Sequence, residues 1–116
     1  MRKDYLRIGD KQYRVECNWN ATVNYAERKG IEEMAQIDDL GKMSPRDMTS
    51  FVWACTQEGE RKDGNQFDVS EVDLGGMMTS TTVSQFIQIY NKQVNSDTGE
   101  APVKKKQGKM KMFGLL

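Results

Sequence analysis

From Asp4 to Cys17 apolar and polar positions alternate, with Leu6 and Ile8 on one run, Tyr13, Val15 and Cys17 on the next, and Gly9-Asp10 between them. A period of two gives each strand one buried face, and glycine accepts the positive φ of a tight connection. The pattern predicts a β-hairpin whose loop can extend through Lys11. Two strands alone are marginal in water, so helices must cover them.

Beyond the hairpin the period lengthens to that of helices. Asn18 or Asn20 can cap a helix of about ten residues with Trp19, Val23 and Ala26 as its apolar members at i, i+4 and i+7, stopped by Gly30. Ile31, Met34 and Ala35 support a further turn or two before Asp38-Asp39 and Gly41 break the pattern. Ser44-Pro45-Arg46-Asp47 is the clearest local signal: serine at the N-cap, proline at the first helical position, and an acid three residues after the cap. Met48, Phe51, Val52 and Cys55 then form a core stripe that is expected to run until Gly59. Trp53 lies roughly 140° around that helix from Met48. It is either buried on a second side of a central helix or an exposed interface anchor, and it is carried as a candidate partner-binding residue.

Residues 59–66 hold no apolar side chain and read as an exposed loop. Ser70 with Asp73 predicts a second cap, on a short helix ended by Gly75-Gly76. Ser80 or a neighbouring threonine opens the last helix, where Val83, Phe86, Ile87, Tyr90 and Val94 recur with the strongest amphipathic period in the chain. The expected fold class is α+β: a two-stranded N-terminal hairpin packed on a small bundle of about four helices. Residues 1–94 form this body, and residues 95–116 are expected to be a flexible arm.

Charge sharpens the division. The chain carries 17 basic and 17 acidic side chains, yet residues 1–94 hold 12 and 15 for a net of −3. Residues 95–116 hold five lysines (Lys104, Lys105, Lys106, Lys109 and Lys111) against Asp97 and Glu100 for a net of +3. The body should repel nucleic acid. The lysines could bind phosphate, but with Phe113 as the arm's one aromatic residue, stacking on bases would be sparse. The same arm carries Met110, Met112, Phe113, Leu115 and Leu116. These are candidate partner-binding residues that a segment can dock on another protein, the alternatives being a solvated tail or a nucleic-acid anchor.

Histidine is absent, which removes the commonest general base near neutral pH and the commonest metal ligand. Glu32-Glu33 and Asp38-Asp39 point about 100° apart on a helix and do not converge. Neither Gly59 to Gly64 nor Gly108-Lys109-Met110 has the lysine and hydroxyl of a phosphate loop. No enzyme activity and no cofactor or metal are therefore expected. Cys17 and Cys55 are expected to be reduced core thiols. The N-terminal residues suggest no signal peptide, no apolar stretch approaches the roughly 20 residues of a membrane span, and Asn20-Ala21-Thr22 is read as an accidental sequon. The expected location is the cytoplasm. A body of this size is marginally stable alone, and self-association or a partner would supplement it.

The order of parts resembles a known family. Tyr5-Leu6-Arg7-Ile8-Gly9-Asp10-Lys11-Gln12-Tyr13-Arg14-Val15, then the helix Asn20 to Gly30, then Ser44-Pro45 opening a helix with Phe51-Val52-Trp53-Ala54-Cys55, then Val69-Ser70-Glu71-Val72, look like the tail assembly chaperones of long-tailed bacteriophages, prophages and gene transfer agents. The likeness is one of layout and spacing over residues 5–94. It implies a non-enzymatic factor that coats the tape measure protein, keeps its long apolar helices soluble and recruits tail tube subunits in the bacterial cytoplasm. It carries over no catalytic residues. The basic, Met-rich end departs from the pattern and is read as a docking peptide or the site of a frameshifted extension. Two other classes stand beside it: a small nucleic-acid-binding regulator using the lysine arm, which the acidic body opposes, and a structural neck or connector component.

Overall fold

The computed structural model describes residues 3–37 and 39–98. Strands β1 (Asp4–Ile8) and β2 (Lys11–Val15) pair antiparallel from Asp4 opposite Val15 to Ile8 opposite Lys11, so the connection is Gly9-Asp10 alone. Gly9 sits at φ 65°, the left-handed conformation such a turn requires. Four α-helices follow: α1 (Trp19–Lys29), α2 (Pro45–Lys62), α3 (Glu71–Met77) and α4 (Ser80–Thr98), with single 3-10 turns at Met34–Gln36 and Leu40–Lys42 joining α1 to α2. This is an α+β fold, with the hairpin against the helices as its sequence predicts.

The caps follow the chemistry of their residues. Asn18 Oδ1 accepts from Ala21 N at 3.0 Å, Ser44 Oγ from Asp47 N at 3.1 Å, and Ser70 Oγ from Asp73 N at 3.0 Å. Thr79, the residue before α4, exchanges bonds with Thr82 in both directions. Gly30 closes α1 at φ 71°.

α2 is the centre of the molecule. Met48, Phe51, Val52, Trp53, Ala54 and Cys55 are all buried, a run that requires neighbours on every side. Tyr25 of α1 meets the Phe51 ring edge-on at 5.2 Å, and Phe86 and Tyr90 of α4 meet it at 5.8 and 5.7 Å. On the far side, residues 63–70 fold back so that Phe67 packs against Trp53 and edge-on against Tyr13 of β2.

Three boundaries differ from the sequence reading. α2 does not stop at Gly59 but continues to Lys62. Gly59 is there because β2 crosses the helix at that turn: a Cβ would lie 2.2 Å from the Arg14 carbonyl oxygen and 2.7 Å from Val15 N. Glycine here admits a strand rather than ending a helix. The backbone of β2 is then bound to α2 directly, with Arg14 N donating to Glu60 Oε2 at 2.8 Å and Glu16 N to the Cys55 carbonyl at 3.0 Å. Residues 59–66 are thus not wholly an exposed loop, since Gly59 and Glu60 are covered. α3 continues past Gly75-Gly76 to Met77. α4 runs through Thr98 rather than yielding to an arm at Asn95, because neither glycine nor proline interrupts it before Gly99.

α4 closes the core with a polar clasp. Gln93, 2 % exposed, donates from Nε2 to Asp4 Oδ2 and to the Val15 carbonyl, both at 2.9 Å, and accepts from Cys17 N at 2.7 Å. One amide thereby ties the last described turns of α4 to both strands and to the chain entering α1. The satisfied amide can be buried because each of its polar atoms has a partner.

Candidate protein-docking surface

The rotation of α1 about its own axis decides which of its apolar residues reach solvent. Ala21 and Tyr25 face α2 at 0 and 2 % exposure, the small alanine permitting close approach. The flanking polar residues are held by specific partners. Asn18 Nδ2 donates to Glu58 Oε2 at 2.8 Å, Asn24 bonds Gln57, Arg28 Nε donates to Glu71 at 2.9 Å, and Lys29 pairs with Asp47 at 2.8 Å. With those contacts made, Trp19, Val23 and Ala26 are turned about 150° from the buried pair, at 100° per residue. Trp19 is 62 % exposed and Val23 37 %. The helical stripe visible in the sequence is present, but it faces outward.

For Trp53 the structure decides between the two alternatives. It is a core residue rather than an exposed anchor: its Nε1 donates to the Val69 carbonyl at 2.6 Å, and the Arg28 guanidinium stacks over its ring at 4.1 Å. The physical reason is the return of residues 63–70 over α2, which supplies both a wall in Phe67 and an acceptor in Val69. Cys55 is buried as expected and Cys17 half-buried, both as free thiols. Burial pushes the Cys55 thiol well up, with the Cys17 thiol beside it adding to the effect.

Met110, Met112, Phe113, Leu115 and Leu116, and the lysines 104–106, 109 and 111, lie outside the described residues. The structure instead adds apolar groups that sequence reasoning did not select. Val72 is 84 % exposed and lies on an open groove of about 490 Å³ between α2 and α3, lined also by Pro45, Arg46, Thr49, Glu71 and Gly75. Met34 is 60 % exposed on the first 3-10 turn. Periodicity marked Trp19 and Val23 as apolar members of α1, but their outward aim is set by the long-range partners of Asn18 and Arg28, for which the sequence carries no local signal.

The ionisable groups of the body bind elements together. Glu58, 6 % exposed, accepts from Asn18, Asn20 and both Arg61 nitrogens, and the Arg61 bonds above all hold its carboxyl down at about 2. Arg14 donates to Asp63 at 2.6 Å and lowers that carboxyl below its usual range. Burial pushes the Glu71 carboxyl up, but bonds from Ser50 and Arg28 outweigh it and leave it lowered. Glu58–Arg61 lies within α2, where it orients Glu58 toward Asn18, whereas Arg14–Asp63 and Arg28–Glu71 each join two segments of chain. Among the described residues no group of three or more Cys, Asp and Glu side chains is placed to hold a metal ion, and no helix is long and apolar enough to cross a membrane.

Neither a family model, nor a curated protein, nor a solved structure matches this chain.

Proposed function

We propose that this protein is a non-enzymatic assembly chaperone of the phage-tail type, acting in the bacterial cytoplasm, and that it receives an apolar helix of the tape measure protein on the outward face of α1 while recruiting tail tube subunits. The observation that carries the reading is the exposed pair Trp19 and Val23, with the half-buried Ala26 beside them, on a helix whose opposite side is held by specific partners. Single apolar groups on a surface are ordinary. A tryptophan and a valine on successive turns of one helix face form a docking edge of the kind that accepts another amphipathic helix.

The layout of hairpin, α1, Ser44-Pro45 cap and central α2 supports the same reading through its resemblance to those chaperones. The ion pairs Arg14–Asp63, Arg28–Glu71 and Lys29–Asp47 are consistent with it, because they hold structural elements together. Co-expression with a tape measure fragment tests the proposal. The wild-type chain should keep the fragment in the soluble fraction, and the double variant Trp19→Ser, Val23→Ser should not while remaining folded itself. Equal solubility of the fragment with both would reject the α1 stripe as the binding surface.

A further inference from the structure

We propose that residues 104–116 of this same chain dock on the outward face of α1 when no partner is bound, placing Phe113 and its apolar neighbours on Trp19 and Val23 and the lysines toward Glu27 and the acidic turns that follow that helix. α4 delivers the chain to the right place. Gln93 bonds Cys17 N at 2.7 Å, and Cys17 is two residues before Trp19, so the last described turns of α4 lie beside the start of α1. From Thr98 to Met110 the chain has 12 residues, a root-mean-square reach of roughly 19 Å if unstructured. The stripe from Trp19 to Ala26 is only about 10 Å long.

Charge selects the same face. Glu27 follows Val23 by one turn, and Glu27, Glu32, Glu33 and Asp39 are all exposed around the end of α1 and the turns after it, while Arg28 and Lys29 of the last turn are paired with Glu71 and Asp47 and Lys42 is the exposed base nearby. Residues 104–111 carry five lysines, the complementary charge. Opposite charges fix register and orientation, while the apolar groups supply the contact. The occupant is the same chain rather than a second copy because a tether of this length gives an effective concentration in the millimolar range. A weak contact is then filled at any ordinary protein concentration. The docked segment would have to leave before a tape measure helix could bind, so the free chaperone would keep its own sticky stripe covered.

The test uses the full-length protein without any partner. Indole nitrogen–proton resonances of Trp19 and Trp53 are assigned with Trp19→Phe, and the spectrum is compared with that of Phe113→Ala, Leu115→Ala, Leu116→Ala. The Trp19 indole signal and the amides of residues 19–27 should shift, and the Trp53 indole should not. Acrylamide quenching of tryptophan emission should rise, as one of the two indoles becomes open. Both changes should be the same at all protein concentrations. Lys104→Gln, Lys105→Gln, Lys106→Gln should give a smaller shift of the same signals that disappears at high salt. Unchanged Trp19 signals in the apolar triple variant would overturn the proposal. So would shifts that appear only as concentration rises together with a doubling of mass in sedimentation, which would place a second copy on the stripe. The inference shares the α1 stripe with the partner reading but needs no partner, so its failure leaves tape measure binding at Trp19 to stand or fall by its own measurement.

Discussion

α1 and α2 each carry one tryptophan, and the two rings have opposite surroundings. Trp53 is enclosed by Phe67, the Arg28 guanidinium and the Val69 carbonyl, whereas Trp19 is 62 % exposed on a helix that is itself firmly held. The difference does not come from the tryptophans. α2 has neighbours on every side, so any large apolar group on it is buried. α1 has α2 on one side only, and Asn18, Asn24, Arg28 and Lys29 use their polar partners to fix which side that is. The apolar groups left over are presented to solvent in a defined geometry, as a binding surface requires.

Substitution of the two rings should separate them most widely. Trp53→Ala removes a packed side chain and leaves the Val69 carbonyl without its donor, at an expected cost of about 3–5 kcal/mol in urea unfolding, while Trp19→Ala should stay within about 0.5 kcal/mol. Comparable losses from both would mean that Trp19 is buried in solution. The next largest effect tests why α2 can be surrounded at all. Gly59→Ala sets a methyl group against the Arg14 backbone, which cannot move without parting β2 from α2, and should cost at least about 3 kcal/mol. A well-folded Gly59→Ala protein of wild-type stability would show that the strand does not cross there.

A smaller effect concerns the pin that orients α1. The Glu58 carboxyl is lowered from its usual 4.5 to about 2 in the folded chain, so the folded state favours the charged form. Its stabilisation is complete above about pH 4.5 and is lost as pH falls through about 2. Because Arg61 is largely exposed, the contribution is about 1–2 kcal/mol rather than the full value of the shift. Glu58→Gln should therefore lower stability at pH 7 by about that amount and flatten its decline between pH 4.5 and 2. An acid limb of unchanged steepness would assign it to other carboxylates.

The local rules of the chain were legible wherever a residue acts on its own neighbours. Ser44-Pro45, Ser70 with Asp73, Gly30 and Gly9-Asp10 open, close and turn elements as their side chains dictate. Gly59 was not legible, because its role is set by a strand some 45 residues away in sequence. The stripe on α1 was visible as an apolar period, and its direction was not. A period of 3.6 shows that one side of a helix is apolar without showing what covers it. For α1 the cover is decided by long-range bonds from Asn18 to Glu58 and from Arg28 to Glu71. Trp53 stayed ambiguous for the same reason: Phe67 and Val69, which enclose it, follow a polar stretch that reads locally as open loop.

The central claim is that the outward stripe of α1 is a docking surface and plays no part in holding the fold. Calorimetric titration of the tape measure protein into wild-type and Trp19→Ala protein, with thermal unfolding of both, measures the two halves of that claim together. The account predicts affinity reduced about 10–100-fold, a hot-spot loss of about 1.4–2.8 kcal/mol, with a melting temperature unchanged within about 2 °C. Unchanged affinity, or affinity lost only in step with a lowered melting temperature, would contradict it.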